Sequence, residues 1–77
     1  MNPRFPVANA RQVLAALRKA GFVTDRVSGS HHLLVHPEDA RRIVTVPFHG
    51  AHDLKPGTLR SIIRQAGLSV EEFKELL

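Results

Sequence analysis

Three short segments rich in β-favouring residues follow one another in the middle of the chain, and very short connections join them. The segments cover about residues 22–28, 31–36 and 41–48. Gly29 and Ser30 can form a two-residue turn after the first segment, and the stretch PEDA, 37–40, can form a turn after the second. Such turns join neighbouring strands that run in opposite directions. The sequence therefore predicts a three-stranded antiparallel meander, with Pro47 at a strand end or an edge.

A helix is predicted on each side of the meander. The first covers Ala10–Ala20, where Asn9 and Gln12 can form a capping box and Gly21 suits the left-handed position after the last turn. The second begins near Pro56, because proline is favoured in a first helical turn. Its apolar side chains recur at helical spacing and form one face: Leu59, Ile62, Ile63 and Ala66.

A short third helix is predicted in the stretch SVEEFKELL, 69–77, where Ser69 and Glu72 can form a capping box. Its side chains expected to face inward are Val70, Phe73 and Leu77. The order is therefore α-β-β-β-α plus a terminal α, an α+β fold with the helices on one face of the sheet and the other face left for a partner. Residues 1–8, which contain two prolines, are expected to be a loose N-terminal segment before a single domain over 9–77.

The charge of the chain favours a polyanionic partner. Lysine and arginine together number 11 against seven acidic residues, so the formal net charge is +4. Three of the acidic residues lie among the last seven positions, so the rest of the chain is more strongly basic. Eight of the basic residues are arginine, the side chain suited to bidentate phosphate contact. A nucleic-acid partner and a merely solvated basic surface both agree with this balance.

Cysteine and long apolar segments are both absent from the sequence. Without cysteine the chain has no disulfide framework and no thiolate metal site, which suits a reducing compartment. No apolar run approaches the roughly 18 residues that a membrane span needs, and the N-terminus lacks the apolar stretch of a secretory signal. We therefore expect a cytoplasmic protein with no membrane partner.

All five histidines fall between residues 31 and 52. They are His31, His32, His36, His49 and His52. A zinc site is one explanation, because His49 and His52 are three residues apart, but the spacing matches no closed structural site. A structural role is the second, since histidine is tolerated at half-exposed strand positions and His36 lies at a strand end. Successive strand residues point to opposite faces, so His31 and His32 should not share one site as equals.

Acid–base catalysis is the third explanation for the histidines. The ordinary pKa of histidine, about 6.5, lets the side chain take or give a proton near neutrality. In RNA the 2′-hydroxyl lies beside the scissile phosphate, so a histidine that removes its proton permits in-line attack without a metal. The Gly29–Ser30 turn before His31 can supply free backbone N–H donors and a close approach for a phosphate.

A second candidate site lies at the start of the second predicted helix. Lys55 directly precedes Pro56 there, and a helix N-terminus favours an anion because its first N–H groups are unpaired. Arg60 and Arg64, one turn apart, continue a positive strip away from the apolar face. An ordinary helix start with solvated arginines is the alternative interpretation of the same residues.

Several stretches together resemble the HicA, or YcfA-like, toxins, which are small mRNA interferases of type II toxin–antitoxin systems. The stretches are LRKAGF, RVSGSHHLLVHP, RIVTVPFH and LKPGTLRSIIRQAGLSVEEF. The most specific parts are the Gly-Ser-His step, the Val-Pro-x-His step and the Gly-Thr-Leu-x-x-Ile helix. The resemblance covers about residues 11–73.

The resemblance implies a fold like that of double-stranded-RNA-binding domains (dsRBD-like) and metal-independent, ribosome-independent cleavage of mRNA. It also implies a cognate HicB antitoxin that covers the active site. His31 is implied as the catalytic residue, with Gly29 and Ser30 shaping the turn before it; some members carry the histidine one position later, at His32. Ser30, His32, Lys55 and a water are all open as the second proton-transfer group.

The sequence thus predicts an endoribonuclease toxin in which His31 is the general base or acid, with neither a metal site nor a cofactor. The residues predicted to bind RNA are Gly29, Ser30, His32, Arg41, Arg42, Lys55, Arg60 and Arg64. The alternative is a non-catalytic RNA-binding module of the same fold, because a double-stranded-RNA domain reads shape and 2′-hydroxyls without cleavage. A DNA-binding accessory protein is disfavoured, since the sequence has no helix-turn-helix pattern.

Overall fold

A computed structural model describes residues 5–77 of the chain. Its helices and strands are α1 (Ala10–Lys19), β1 (Val23–Ser28), β2 (His31–His36), β3 (Asp39–Pro47), α2 (Pro56–Gln65) and α3 (Val70–Leu76). The strands form one antiparallel sheet in the order β1-β2-β3. The predicted α+β fold, with a three-stranded antiparallel sheet and a short C-terminal helix, is confirmed.

The ends of α1 are formed by the residues that the sequence predicts. The Asn9 side chain accepts a hydrogen bond from the Gln12 N–H, and the Gln12 side chain accepts one from the Asn9 N–H, each at 2.9 Å. At the other end Gly21 adopts a φ of +101°, and the Phe22 N–H donates to the Leu17 carbonyl at 3.0 Å. This pattern closes the helix and turns the chain toward β1.

The same two features, a glycine with positive φ and a capping box, recur between α2 and α3. Gly67 follows α2 with a φ of +72°, and Ser69 and Glu72 form a reciprocal capping box at the start of α3. The Ser69 N–H donates to the Glu72 carboxylate at 2.8 Å, and this hydrogen bond is the main cause of the lowered pKa of Glu72. A hydrogen bond from the Ser69 hydroxyl is the next cause. Both predicted capping boxes are thus confirmed.

The helices cover one face of the sheet, as predicted. Leu34, Val44 and Val46 are completely buried on that face, within a single apolar cluster that includes residues from all three helices. The other buried members are Ala8, Ala10, Val13, Leu14, Ala16, Leu17, Phe22, Leu59, Ile62, Ile63, Ala66 and Phe73. The opposite face is open, and Val23 and Ile43 on its outer strands are 48% and 46% exposed.

Two boundaries differ from the sequence prediction. β3 begins two residues early because the residues 37–38 alone form the turn, so that His36 pairs with Asp39. At the C-terminus, Leu77 is 45% exposed, and Leu76 packs against the core in its place. The expected inward position of Leu77 is therefore wrong, because α3 ends one residue before it.

The start of the chain contacts the loop before α2. Residues 1–4 of the expected loose segment lie outside the described residues, and 5–8 have no regular structure. Ala8 is nevertheless buried, and its carbonyl accepts a hydrogen bond from Leu54 at 2.9 Å. Asn9 and Asp53 form an antiparallel bridge. These contacts hold the loop against the start of α1.

Gly21→Ala is expected to destabilise the fold by about 1–3 kcal/mol, because alanine is strained at a positive φ. Its Cβ would also lie 2.9 Å from the His36 Nε2. Gly57→Ala, where an added Cβ meets nothing within 4 Å, is the matched control and should be neutral or stabilising by up to about 1 kcal/mol. Urea unfolding followed by circular dichroism measures both. Equal stability of Gly21→Ala and the wild type would contradict the prediction.

Candidate functional site

The Gly29–Ser30 turn lies at the tip of the hairpin between β1 and β2. Ser28 pairs with His31 across it, as predicted for a two-residue loop. Gly29 has a φ of +57° while Ser30 does not have a positive φ, the combination that type II′ turns require. A Cβ added at Gly29 would meet nothing within 4 Å, so the space beside this turn is open.

His31 and His32 lie on opposite faces of the sheet. His31 is exposed on the open face, where its pairing partner on β3 is Pro47. His32 is half-buried on the face covered by helices, and its ring centroid lies 5.2 Å from that of Phe48. Its Nδ1 is buried and has no hydrogen-bond partner within residues 5–77. Of these two side chains, His31 is the one that a large substrate can approach.

His36 holds the far end of β2 against α1. Its Nε2 lies 3.2 Å from the Ala20 carbonyl oxygen, and its Nδ1 accepts a hydrogen bond from the Glu38 N–H at 3.2 Å. These two contacts require a neutral ring with the proton on Nε2. The ring also packs edge-on against Phe22, at 5.1 Å between centroids. His36 therefore has a structural role, which agrees with its predicted place at a strand end.

His49 and His52 line a cavity between the end of β3 and the start of α2. The cavity measures about 430 Å³ and is bordered by Pro47, His49, His52, Asp53, Leu54, Lys55 and Thr58. Its lining combines two imidazoles, an ammonium group and a hydroxyl with one carboxylate. Because Asp53 and Leu54 bond to residues 8–9, the wall of this cavity is fixed by the fold.

Positive charge and unpaired amides coincide at the start of α2. Lys55 occupies the N-cap position with an extended backbone, and its side chain makes no capping hydrogen bond. Pro56 follows at the first helical position and has no N–H of its own. The next amides of the first turn therefore have no side-chain cap, which makes this helix end attractive to an anion.

Arg41 lies far from this cavity. It is six residues from Pro47 along β3, which corresponds to roughly 20 Å. Its backbone N–H donates to the Asp39 carboxylate at 3.1 Å, and this hydrogen bond is the main cause of the lowered pKa of Asp39. The structure therefore does not bring Arg41 to the phosphate that His31 would contact.

Arg42 connects β3 to the end of α2. Its Nε donates to the Ala66 carbonyl at 2.8 Å, and its guanidinium lies 5.2 Å from the centroid of the Phe22 ring. Arg60 makes a similar contact, at 4.4 Å from the centroid of Phe5, whereas Arg64 is exposed on α2. RNA binding by these arginines stays a prediction, and two of them also contribute to the packing of the protein.

The surroundings of His49 and His52 in the structure differ from those that the sequence suggests. The spacing of His49 and His52 suggests zinc ligation, whereas the structure puts both beside Lys55 in the cavity. Within residues 5–77, no three histidine, aspartate or glutamate side chains are grouped so that they could hold a metal ion. The signal in the sequence was the Val-Pro-x-His step, which ends at His49.

The sequence model of one protein family, described as the HicA toxin of bacterial toxin-antitoxin, matches residues 10–68. The match contains α1, α2, the whole sheet and all five histidines. The chain belongs to the HicA toxin family. It is therefore a toxin of a toxin–antitoxin system, and membership implies an antitoxin partner.

HicA toxins are generally of the ribonuclease type. No curated protein sequence matches this chain. Among residues 5–77, the HicA fold contains no helix that is both long and apolar enough to cross a bilayer.

The two neighbouring histidines should differ in their effect on stability. His32→Ala removes a half-buried ring that packs on Phe48, and it is expected to lower the free energy of unfolding by about 1–2 kcal/mol. His31→Ala alters an exposed side chain and should leave stability unchanged within the precision of urea unfolding. A larger loss for His31→Ala than for His32→Ala would contradict the assignment of these residues to the two faces.

Proposed function

We propose that this HicA-family protein is a metal-independent endoribonuclease that cleaves mRNA, with His31 as the general base. One observation carries the proposal. Among the three histidines of β2, His31 is the exposed one, beside a glycine turn with open space around it, whereas His32 and His36 are half-buried and pack against neighbouring side chains. A side chain that must reach the backbone of a polynucleotide has to be exposed in this way.

The chemistry follows from the substrate. His31 takes the proton of the 2′-hydroxyl, and the 2′-oxygen attacks the adjacent phosphorus. A bond forms between the 2′-oxygen and phosphorus while the bond from phosphorus to the 5′-oxygen breaks. The expected products are a 2′,3′-cyclic phosphate end and a 5′-hydroxyl end. Donors that stabilise the extra negative charge of the transition state lower the barrier further.

Several groups of the hairpin turn and of α2 suit the binding of that charge. The Gly29–Ser30 turn allows a phosphate to approach the backbone closely, because no Cβ occupies the space at Gly29. Lys55 and the uncapped first turn of α2 attract an anion at the cavity. Arg60 and Arg64 extend the positive surface along α2, and Arg41 and Arg42 can reach only a phosphate farther along the RNA.

The proposed partners are mRNA and a HicB-like antitoxin that masks the site. We place the protein in the cytoplasm, where its substrate is made. The dsRBD-like fold proposed for a single domain over 9–77 agrees with RNA as the substrate. Residues 1–8 have no assigned role in this mechanism.

Wild-type protein is expected to cleave mRNA in the presence of EDTA, and His31→Ala is expected to lose activity by about a hundred- to ten-thousand-fold, because it has no group to take the proton. Gel analysis of end-labelled RNA measures the rate and shows whether the new ends are cyclic phosphates. His31→Gln, which keeps the size and polarity of the ring but cannot transfer a proton, should be equally inactive.

Circular dichroism of both variants checks that they remain folded. Tight binding of intact RNA by the wild type would favour the non-catalytic RNA-binding module. Cleavage only after addition of a divalent metal, or undiminished cleavage by folded His31→Ala, would overturn the proposed mechanism.

Lys55→Ala should weaken binding of RNA and reduce its dependence on salt. Each phosphate contact to a single strand contributes about 0.7 to the slope of log affinity against log salt concentration, so the slope should fall by about that amount. RNA with 2′-O-methyl groups, which cannot be cleaved by this route, serves as the ligand in a fluorescence titration. Lys19→Ala, at the opposite end of α1 from Asn9, removes the same charge and should keep the wild-type slope. Equal slopes for the two variants would contradict a phosphate contact at Lys55.

A further inference from the structure

We propose that His49 is the second proton-transfer residue of the site and gives the proton to the departing 5′-oxygen. This inference rests on the proposed ribonuclease function and completes it. The argument begins with the pairing of β2 and β3, in which His31 lies opposite Pro47. The pairing continues one step beyond β3, because the Phe48 N–H donates to the Ser30 carbonyl at 2.6 Å. The chain thus remains beside the hairpin turn as it approaches His49.

The alternation of side chains also continues past the end of β3. His32 lies opposite Val46 on the helix-covered face, and Phe48, two residues after Val46, packs against the ring of His32. By the same alternation His49, two residues after Pro47, lies on the face of the sheet that carries His31. A residue in this diagonal position lies about 7–8 Å from its cross-strand neighbour, which is within reach of long side chains. Two imidazoles so placed can flank one phosphate.

The cavity supports this placement independently, because Pro47 and His49 border the same space. The other charged or titratable groups that line it are His52, Asp53 and Lys55. Lys55 and the first turn of α2 attract a phosphate into the cavity that His49 borders. The cavity therefore joins a candidate proton donor to a candidate anion site, and Pro47, the cross-strand partner of His31, borders it.

His49 is better placed for this role than the other basic groups of the cavity. His52 lies three residues farther along the loop and has no pairing relation to the hairpin. Lysine has an ordinary pKa of about 10.4 and gives up a proton reluctantly near neutrality, whereas histidine exchanges one readily. We therefore assign charge stabilisation to Lys55 and proton donation to His49.

The proton balance closes with these two residues. Neutral His31 takes the 2′-hydroxyl proton and becomes charged, the new bond between the 2′-oxygen and phosphorus forms, and the bond to the 5′-oxygen breaks. Charged His49 gives its Nδ1 or Nε2 proton to that oxygen and becomes neutral. Exchange of protons with water restores both rings, so no co-reactant is needed.

An RNA with sulfur in place of the scissile 5′-oxygen tests the assignment. A thiol ionises near pH 8.5, so the sulfur departs as a thiolate and needs no proton donor. His49→Ala should cleave the ordinary RNA about a hundred- to ten-thousand-fold more slowly than the wild type, and it should recover nearly the wild-type rate on the sulfur RNA. His31→Ala should be defective on both, because attack by the 2′-hydroxyl still needs a base. The substrate is a short RNA around a position that the wild type is first shown to cleave.

His52→Ala is the matched control, since it removes a neighbouring imidazole of the same cavity. Any loss of rate in this variant should be the same on the oxygen and sulfur RNAs. His49→Gln provides a second, more conservative variant, and it should also be rescued by sulfur. Undiminished cleavage by His49→Ala, or an equal loss on both RNAs, would overturn the role of His49 while leaving His31 in place. Failure of the wild type to cleave any mRNA in the first step, in which the substrate is chosen, would instead overturn the ribonuclease function itself.

Discussion

The pairing of β2 with β3 determines the face of the sheet on which each histidine lies. Leu34 faces Val44 and His32 faces Val46 on the side covered by helices. A slip of one residue would move Leu34 to the open face and bring His31 toward the core. Because burial of a leucine-sized side chain contributes about 1.5–3 kcal/mol, the apolar core resists such a slip. The packing that stabilises the domain therefore also keeps His31 at the surface.

Basic residues of the chain are divided between internal contacts and the open surface. Arg42 hydrogen-bonds to the end of α2 and lies over Phe22, and Arg60 lies over Phe5. These contacts stabilise the packing of the two aromatic rings and hold the guanidinium groups in place. Lys55 makes no capping bond and borders the cavity. The net charge of +4 is therefore an incomplete guide to where a polyanion binds, and the position of individual groups is more informative.

Local signals made most of the fold predictable. Capping boxes, closing glycines and a two-residue turn act over a few residues, and strand alternation was enough to separate His31 from His32. The cavity could not be foreseen, because it depends on the bridge between Asn9 and Asp53, which are far apart in the sequence. For the same reason the sequence did not show that Arg42 contacts the end of α2. HicA membership identified the toxin class, whereas the surroundings of the histidines emerged only from the structure.

The short hydrogen bond from Phe48 to Ser30 joins the hairpin tip to the loop that follows β3. In the proposed mechanism both imidazoles are consequently set in position as soon as the chain folds, so folding itself switches the enzyme on. With both rings already in position, inhibition would have to come from outside the fold, which is the task of the antitoxin that family membership implies.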